Sequence, residues 1–215
     1  FILDYKEDIY DYRVRMDNSI GIYAFYRFWP KTSLFVQYDF ADIDFDRSGA
    51  DSQENRYYAG INWDMTAKTR GSLKLGFMEK DFDSPALEDQ DGFSFEIQTQ
   101  HNISPKRALQ INAFRKFNES NTTGASSFVA TGIDIGLMQR FNEKWSGTLN
   151  ALAERDEYYQ INREDDFFSI GPSVRYKPRD WLIFDFSYFW SMNDSNLQAY
   201  DYTSHEFILQ ATLSL

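Results

Sequence analysis

Tyr26-Arg27-Phe28-Trp29-Pro30-Lys31-Thr32-Ser33-Leu34 sets a proline and a lysine between two alternating runs. Before it, Ile20, Ile22, Ala24, Tyr26 and Phe28 share one face, and Gly21, Tyr23, Phe25 and Arg27 the other. After it, Leu34, Val36, Tyr38 and Phe40 alternate with Phe35, Gln37 and Asp39. A period of two predicts β-strands with one apolar face, and Pro-Lys predicts the tight turn between them. The punctuation returns at Thr66-Ala67-Lys68-Thr69, Ser104-Pro105-Lys106-Arg107, Asn142-Glu143-Lys144-Trp145 and Lys177-Pro178-Arg179-Asp180. Its basic residue falls at 31, 68, 106, 144 and 179, in steps of 37, 38, 38 and 35. Such a period marks a repeated supersecondary unit. Here the unit is a tight turn, a strand, a long polar loop and a returning strand.

Followed along the chain, this pattern predicts about twelve strands of roughly 9–12 residues and no helix. The first is Phe1–Tyr5, followed by an acidic loop to Asn18. The long loops are expected at 41–55, 79–91, 116–127, 155–165 and 191–204. Pro172 falls inside a strand and predicts a bulge or a local gap in the ladder.

The 215 residues fit one domain, 1–215, carrying a net charge of −11. That charge argues against a nucleic-acid partner, which would select a basic stripe. Without cysteine there is no disulfide framework and no thiolate chemistry. Two histidines supply little for metal or acid–base work. No apolar run approaches the roughly 20 residues of a membrane helix, and no signal-type segment opens the chain. The chain is expected to be a processed form or a piece of something longer.

Alternation alone does not say which face meets water. A closed sheet of about twelve strands is too wide to fill with a dry core, so its apolar face needs another apolar medium. The other face mixes small polar residues with isolated charges of both signs. Loop lengths alternate short and long, as in outer-membrane barrels. The expected fold is therefore an all-β, transmembrane, antiparallel up-and-down barrel with its polar face inward. Arg27, Asp39, Arg70, Lys74, Glu96, Asp134, Arg140, Glu154, Arg175, Asp185 and Glu206 are the candidate pore-lining charges. Tyr23, Phe35, Tyr58 and Phe114 point the same way and offer stacking surfaces for sugar rings. Trp29, Trp63, Trp145 and Trp181 beside the short turns predict one interfacial girdle, and Tyr38, Tyr188 and Trp190 the other. Outer-membrane lipid and lipopolysaccharide would surround it, with the short turns periplasmic and the long acidic loops outside.

The segment Tyr26 to Leu34, its echoes Asn102-Ile103-Ser104-Pro105-Lys106-Arg107 and Val174-Arg175-Tyr176-Lys177-Pro178-Arg179, and the tyrosine-rich acidic loops carry a resemblance. The chain resembles the putative β-barrel porin 2 family over essentially its whole length. It is also similar to outer-membrane barrels encoded with exopolysaccharide export systems. The resemblance implies a channel for hydrophilic solutes, involved in export of a secreted polysaccharide, with periplasmic export proteins as partners. Family members are typically longer. Two architectures stay open: a closed twelve-strand barrel, or the C-terminal part of a larger one. An alternative function is a structural barrel that houses another outer-membrane protein.

Enzyme chemistry is not expected, because no nucleophile–base–orienter arrangement is visible. Ser204 and His205 are adjacent and point to opposite faces of a strand. Asp42-x-Asp44-x-Asp46 lacks the glycine and the bidentate glutamate of a calcium loop. A loose divalent site among Asp42, Asp44, Asp46, Asp81, Asp83, Glu88, Asp89 and Asp91 is weighed against a solvated acidic loop, and the loop is favoured. No cofactor is expected. Asn118-Glu119-Ser120 and Asn121-Thr122-Thr123 match the glycosylation pattern, which means little in a bacterial setting.

Overall fold

The computed structural model describes residues 2–3, 14–46, 50–64, 68–120, 122 and 125–214. Twelve strands form one antiparallel sheet in sequence order. They are β1 (Ile2–Leu3), β2 (Arg15–Trp29), β3 (Thr32–Phe45), β4 (Ser52–Trp63), β5 (Thr69–Phe82) and β6 (Gln90–Ser104). Then come β7 (Arg107–Glu119), β8 (Ser127–Arg140), β9 (Trp145–Tyr158), β10 (Glu164–Arg179), β11 (Leu182–Ser195) and β12 (Tyr202–Leu213). A 3₁₀ turn, Gln198–Tyr200, precedes β12. Of the expected opening strand only Ile2–Leu3 is described, paired with Met16 and Arg15 of β2. Residues 4–5 of that strand and 6–13 of the expected acidic loop lie outside the described residues, and Arg15–Asn18 belong to β2.

The short turns fall where the basic residues mark them. The long loops are shorter than expected: β3 runs to Phe45, β5 to Phe82, β9 to Tyr158 and β11 to Ser195. The reason is a change of medium along each strand. Leu34, Val36, Tyr38 and Phe40 of β3 give way on the same face to Asp42 and Asp44. Leu73, Leu75 and Phe77 of β5 give way to Glu79 and Asp81. The ladder continues past the apolar band, because backbone pairing does not depend on what the side chains meet. The band covers about nine residues in β2 and β10, within the roughly 9–11 that a tilted strand needs to cross a bilayer.

Pro172 interrupts one ladder only. It pairs with Leu149 of β9, while pairing with β11 skips from Ile170–Trp190 to Ser173–Ser187. A residue without an N–H leaves that side of the strand unpaired.

The apolar face is the exposed one. Val36, Tyr57, Leu75, Phe93, Leu149 and Phe186 all stand open, whereas Phe35 and Tyr58 on the opposite face are buried. A face this large and apolar fits hydrocarbon, not water. The sheet is curled: one hollow of about 510 Å³ is lined jointly by Arg27, Ser33, Asn62, Ser72, Gln98 and Asn112, from six successive strands. The curl does not close among the described residues. The sheet ends with the β11–β12 pair at one side and the β1–β2 pair at the other. β1 and β12 are the edge strands; among the described residues β1 covers only Arg15 and Met16 of β2, and Leu209 of β12 is 77% exposed.

Candidate functional site

The concave face is built in three levels. At the short-turn end, an amide belt lines the 510 Å³ hollow through Asn62, Gln98, Gln100, Gln110 and Asn112. Arg70 donates to Gln100 Oε1 from Nε (3.1 Å) and Nη2 (2.6 Å). Arg27 lines the same hollow. Arg140 Nη2 donates to the Pro105 carbonyl at 2.7 Å. Arg175 grips Asp185 through two hydrogen bonds of 2.7 and 3.2 Å. A two-point guanidinium–carboxylate contact fixes both groups as a brace of the wall.

At mid-height, Lys74 Nζ lies 2.8 Å from Glu96 and 4.6 Å from the centre of the Tyr58 ring. Asp134 accepts from Asn112 Nδ2 at 3.3 Å, and Asp39 accepts from Gln37 Nε2 at 2.6 Å. Glu154 stands on β9 opposite Gly132, and Glu206 on β12 opposite Phe189. All the candidate charges therefore share the concave face by strand parity. The aromatic rings of this level lie flat on the wall. Phe35 lies over Gly60 and Tyr58 over Gly76, and Tyr23 sits 5.0 Å from Phe35 with its hydroxyl accepting from Asn62 at 2.8 Å. Phe114 covers Gly132, and Phe189 covers Gly171. A ring over a glycine fills the gap in the wall and keeps the bore clear. Gly132→Val is expected to push Phe114 into the lumen, since an added Cβ would meet Phe114 Cζ at 2.8 Å. Single-channel conductance should fall, and an unchanged conductance would show that the ring relaxes sideways.

The third level crosses the long-loop end. Phe117 and Val129 have the strand parity of Leu109 and Ile135, which face outward, and Phe117 pairs directly with Val129. Alternation places Val129 on the outer face. Instead both are buried, Val129 at 2%, against Met78 of the inner wall, with Tyr159 alongside. The end of the β7–β8 hairpin is therefore folded inward behind β4–β6, so that its outer face rests on their inner face. The contacts agree: Lys80 joins Glu119 of β7 to Glu54 of β4 (3.2 Å), Ser127 bonds Gln90, and Ser94 donates to the Arg115 carbonyl at 2.7 Å. Lys80 is 0% exposed.

The other face of this hairpin is covered in turn. Phe128 stacks on Tyr158 at 5.0 Å. Arg163 lies over Tyr158 (4.2 Å) and Tyr200 (3.5 Å), pairs with Asp165, and donates to Thr122 Oγ1 at 2.8 Å. These groups lie above the apolar band. There burial pushes the Tyr159 hydroxyl up from its ordinary value. Burial and the neighbouring Glu154 push Asp156 up to about 7.

The interfacial aromatics sit at both rims. Trp145 stacks on Tyr176 at 4.3 Å, Trp63 covers Gly71, Trp29 packs on Phe28 at 4.6 Å, and Trp181 is exposed in the β10–β11 turn. At the far rim Tyr38 meets Tyr57 at 5.2 Å, Trp190 meets Phe168 at 5.9 Å, and Tyr188 donates to or accepts from His205 at 2.8 Å. Both histidines lie on the outer face; His101 is bonded to Thr69 at 2.8 Å. Among the described residues no three His, Asp or Glu side chains gather as a metal site.

Sequence reasoning missed Lys80, Glu54, Glu119, Arg115, Arg163 and Phe189. Phe189 was legible, since it alternates with Trp190. The others are tied together across strands by the inward fold, which no local pattern announces.

An exposed apolar band, aromatic rims and a polar concave face define the fold of an outer-membrane β-barrel. The chain belongs to the family described as putative beta-barrel porin 2, which it matches over residues 10–215. It is similar in fold to the outer-membrane channel DcaP of Acinetobacter baumannii, with 14% identity and a TM-score of 0.67, covering 91% of this chain and 62% of that one. The chain thus spans less than two thirds of that channel. It is more loosely similar to the CymD monoaromatic hydrocarbon channel, at 12% identity and a TM-score of 0.46 over 94% of this chain and 74% of that one. A FadL homologue of Pseudomonas aeruginosa gives 10% identity and a TM-score of 0.44 over 93% and 68%. No curated protein matches the sequence.

Proposed function

We propose that this chain forms the wall of an outer-membrane channel for hydrophilic solutes, and that its solute is a secreted polysaccharide. The observation that carries the reading is the concave face: six strands line one amide-rich hollow, and the same face carries the exposed ring of Tyr23 and the half-buried rings of Phe114 and Phe189. Amides exchange hydrogen bonds with sugar hydroxyls at little net cost, and flat rings stack on the apolar faces of sugar rings. No covalent step is involved; the solute diffuses or is pushed through. Its surroundings are outer-membrane lipid and lipopolysaccharide, its short turns face the periplasm, and periplasmic export proteins deliver the polymer.

Among the described residues the edge of β2 beyond Met16 and the edge of β12 have no partner strand; in lipid they cannot stay unpaired, since each bare backbone group costs several kcal/mol there. The wall is completed by those edges meeting or by further strands between them. A second reading, a barrel that houses a partner protein, draws on the same edges and on the layer folded across the loop end.

The test is electrical. Full-length protein in planar bilayers should give discrete open-channel steps. Neutral dextrans of graded size, added to either side, should reduce the current up to a cut-off and not beyond it. Silent membranes together with a stoichiometric co-purifying protein would favour the housing barrel instead.

A further inference from the structure

The charges of this chain are divided between its two ends. The short turns and their flanks, 27–33, 62–71, 101–108, 139–147 and 175–182, hold eleven of the 22 basic residues and only three of the 33 acidic ones. Their net charge is +8, against −19 for the rest of the chain. Every strand from β2 to β12 runs between these ends. A strand of about 14 residues, rising about 3.3 Å per residue and tilted by roughly 40°, separates them by roughly 35 Å. The Debye length at physiological salt is about 8 Å, so neither end cancels the other.

The positive end reaches into the lumen. Arg27, Arg70, Arg140 and Arg175 sit on β2, β5, β8 and β10 with concave parity, a partial ring around the turn-side mouth. Arg70 and Arg140 are held by neutral acceptors, Gln100 and the Pro105 carbonyl, so these contacts position their charges without neutralising them. Among the described residues Arg175 alone of the four is matched by an acid, Asp185. At the other end Asp42, Asp44, Asp81, Asp91, Asp166 and Asp194 crowd the outer face of the strand ends, while Asp39, Glu154 and Asp156 have concave parity; Asp44 is pushed up from its ordinary value chiefly by Asp42.

We propose that the channel is electrically bipolar, and that its solute is an anionic glycan taken up at the basic, short-turn mouth. The proposal rests on the channel reading. A mouth walled by low-dielectric protein and lined with one sign of charge concentrates the opposite sign and raises its rate of capture. A polyanion is therefore gathered at the turn side, threads past guanidinium groups that bind it weakly and repeatedly, and leaves through an acidic mouth that slows its return. A passive pore of this kind sets rates and does not itself drive net transport. The same charge order makes the pore rectify small ions. When the loop side is positive, cations enter the acidic mouth and anions the basic one, and carriers accumulate. With the opposite sign both are depleted.

The experiment uses the full-length protein in planar bilayers, with its orientation fixed by a label at E143C on the turn side. In 0.1 M KCl the current with the loop side positive should exceed the reverse current on the order of twofold. At 1 M KCl, where the Debye length is about 3 Å, the asymmetry should vanish. Dextran sulfate should block from the turn side and fail from the loop side, while neutral dextran of the same size shows no such preference. Replacing Arg27, Arg70 and Arg140 together by glutamine should remove the sided block. Open-channel steps with symmetric current at 0.1 M KCl and equal block by both polymers would overturn this inference and leave the channel intact. Silent membranes would overturn the channel reading, and this inference with it.

Discussion

Replacing Lys80 by methionine is expected to release the end of the β7–β8 hairpin from the inner wall. Lys80 is fully buried, and its ammonium joins Glu54, itself 3% exposed, to Glu119. Arg56 also pairs with Glu54 and holds part of its charge in place. Methionine fills much the same volume, so packing against Met78 is largely kept and the electrostatic change dominates. Two carboxylates then face each other with the cation between them gone. Breaking a buried pair by removing one partner costs about 3–5 kcal/mol. A layer held chiefly by Met78, Phe117 and Val129 has a small apolar core to set against that loss.

Hydrogen exchange across 116–130 should rise by orders of magnitude, and single-channel conductance should increase as the loop-side mouth widens. The variant that also carries E54Q and E119Q should recover most of the protection, because no buried carboxylate is then left without its cation and Arg56, which loses Glu54, is partly open to water. Unchanged exchange in the single variant would show that the apolar contacts alone seat the hairpin.

Arg163→Ala should uncouple three loops at once. The guanidinium lies between the rings of Tyr158 and Tyr200, is paired with the buried Asp165, and reaches Thr122 in the loop after β7. Burial opposes its charge, but the hydrogen bond to Asp165 together with the electrostatic attraction of Tyr158, Asp165 and Tyr200 outweighs it, so its pKa is raised. Alanine removes the stacking and the hydrogen bonds, and it leaves Asp165 buried without its cation. The expected cost is again about 3–5 kcal/mol. Protease sensitivity should appear in 120–126 and 196–201 with the apolar band still intact. Arg163→Lys should fall between, since an ammonium keeps the charge but cannot grip the carboxylate at two points while stacking between two rings. Equal protease resistance in wild type and R163A would place the loop contacts elsewhere.

Much of this molecule could be read before it was seen. The turns around Lys31, Lys68, Lys106, Lys144 and Arg179 fix where strands reverse. Alternation fixes the phase of each strand, so Arg27, Lys74, Asp134 and Arg175 fall on the concave face. The strand ends were harder. Asp42 and Asp44 continue the parity of Val36 and Tyr38, yet their charge suggests a loop, because hydropathy reports the surrounding medium and the ladder does not depend on it. The edges could not be settled by pattern, since the same twelve strands suit a closed wall or part of a larger one.

The inward fold is the sharpest divide. Phe117 and Val129 have the parity and the apolar character of residues that face lipid, and alternation can only assign them there. Lys80, Glu54 and Glu119 read as scattered loop-end charges, far apart along the chain. By itself the sequence determined the strands, their faces and the sign of charge at each end, because these depend on a period of two and on local composition. Tertiary structure alone decided that one hairpin turns its outer face onto the inner wall. That choice depends on burying a small apolar cluster and three charges together, which is a property of several strands at once and of none of them singly.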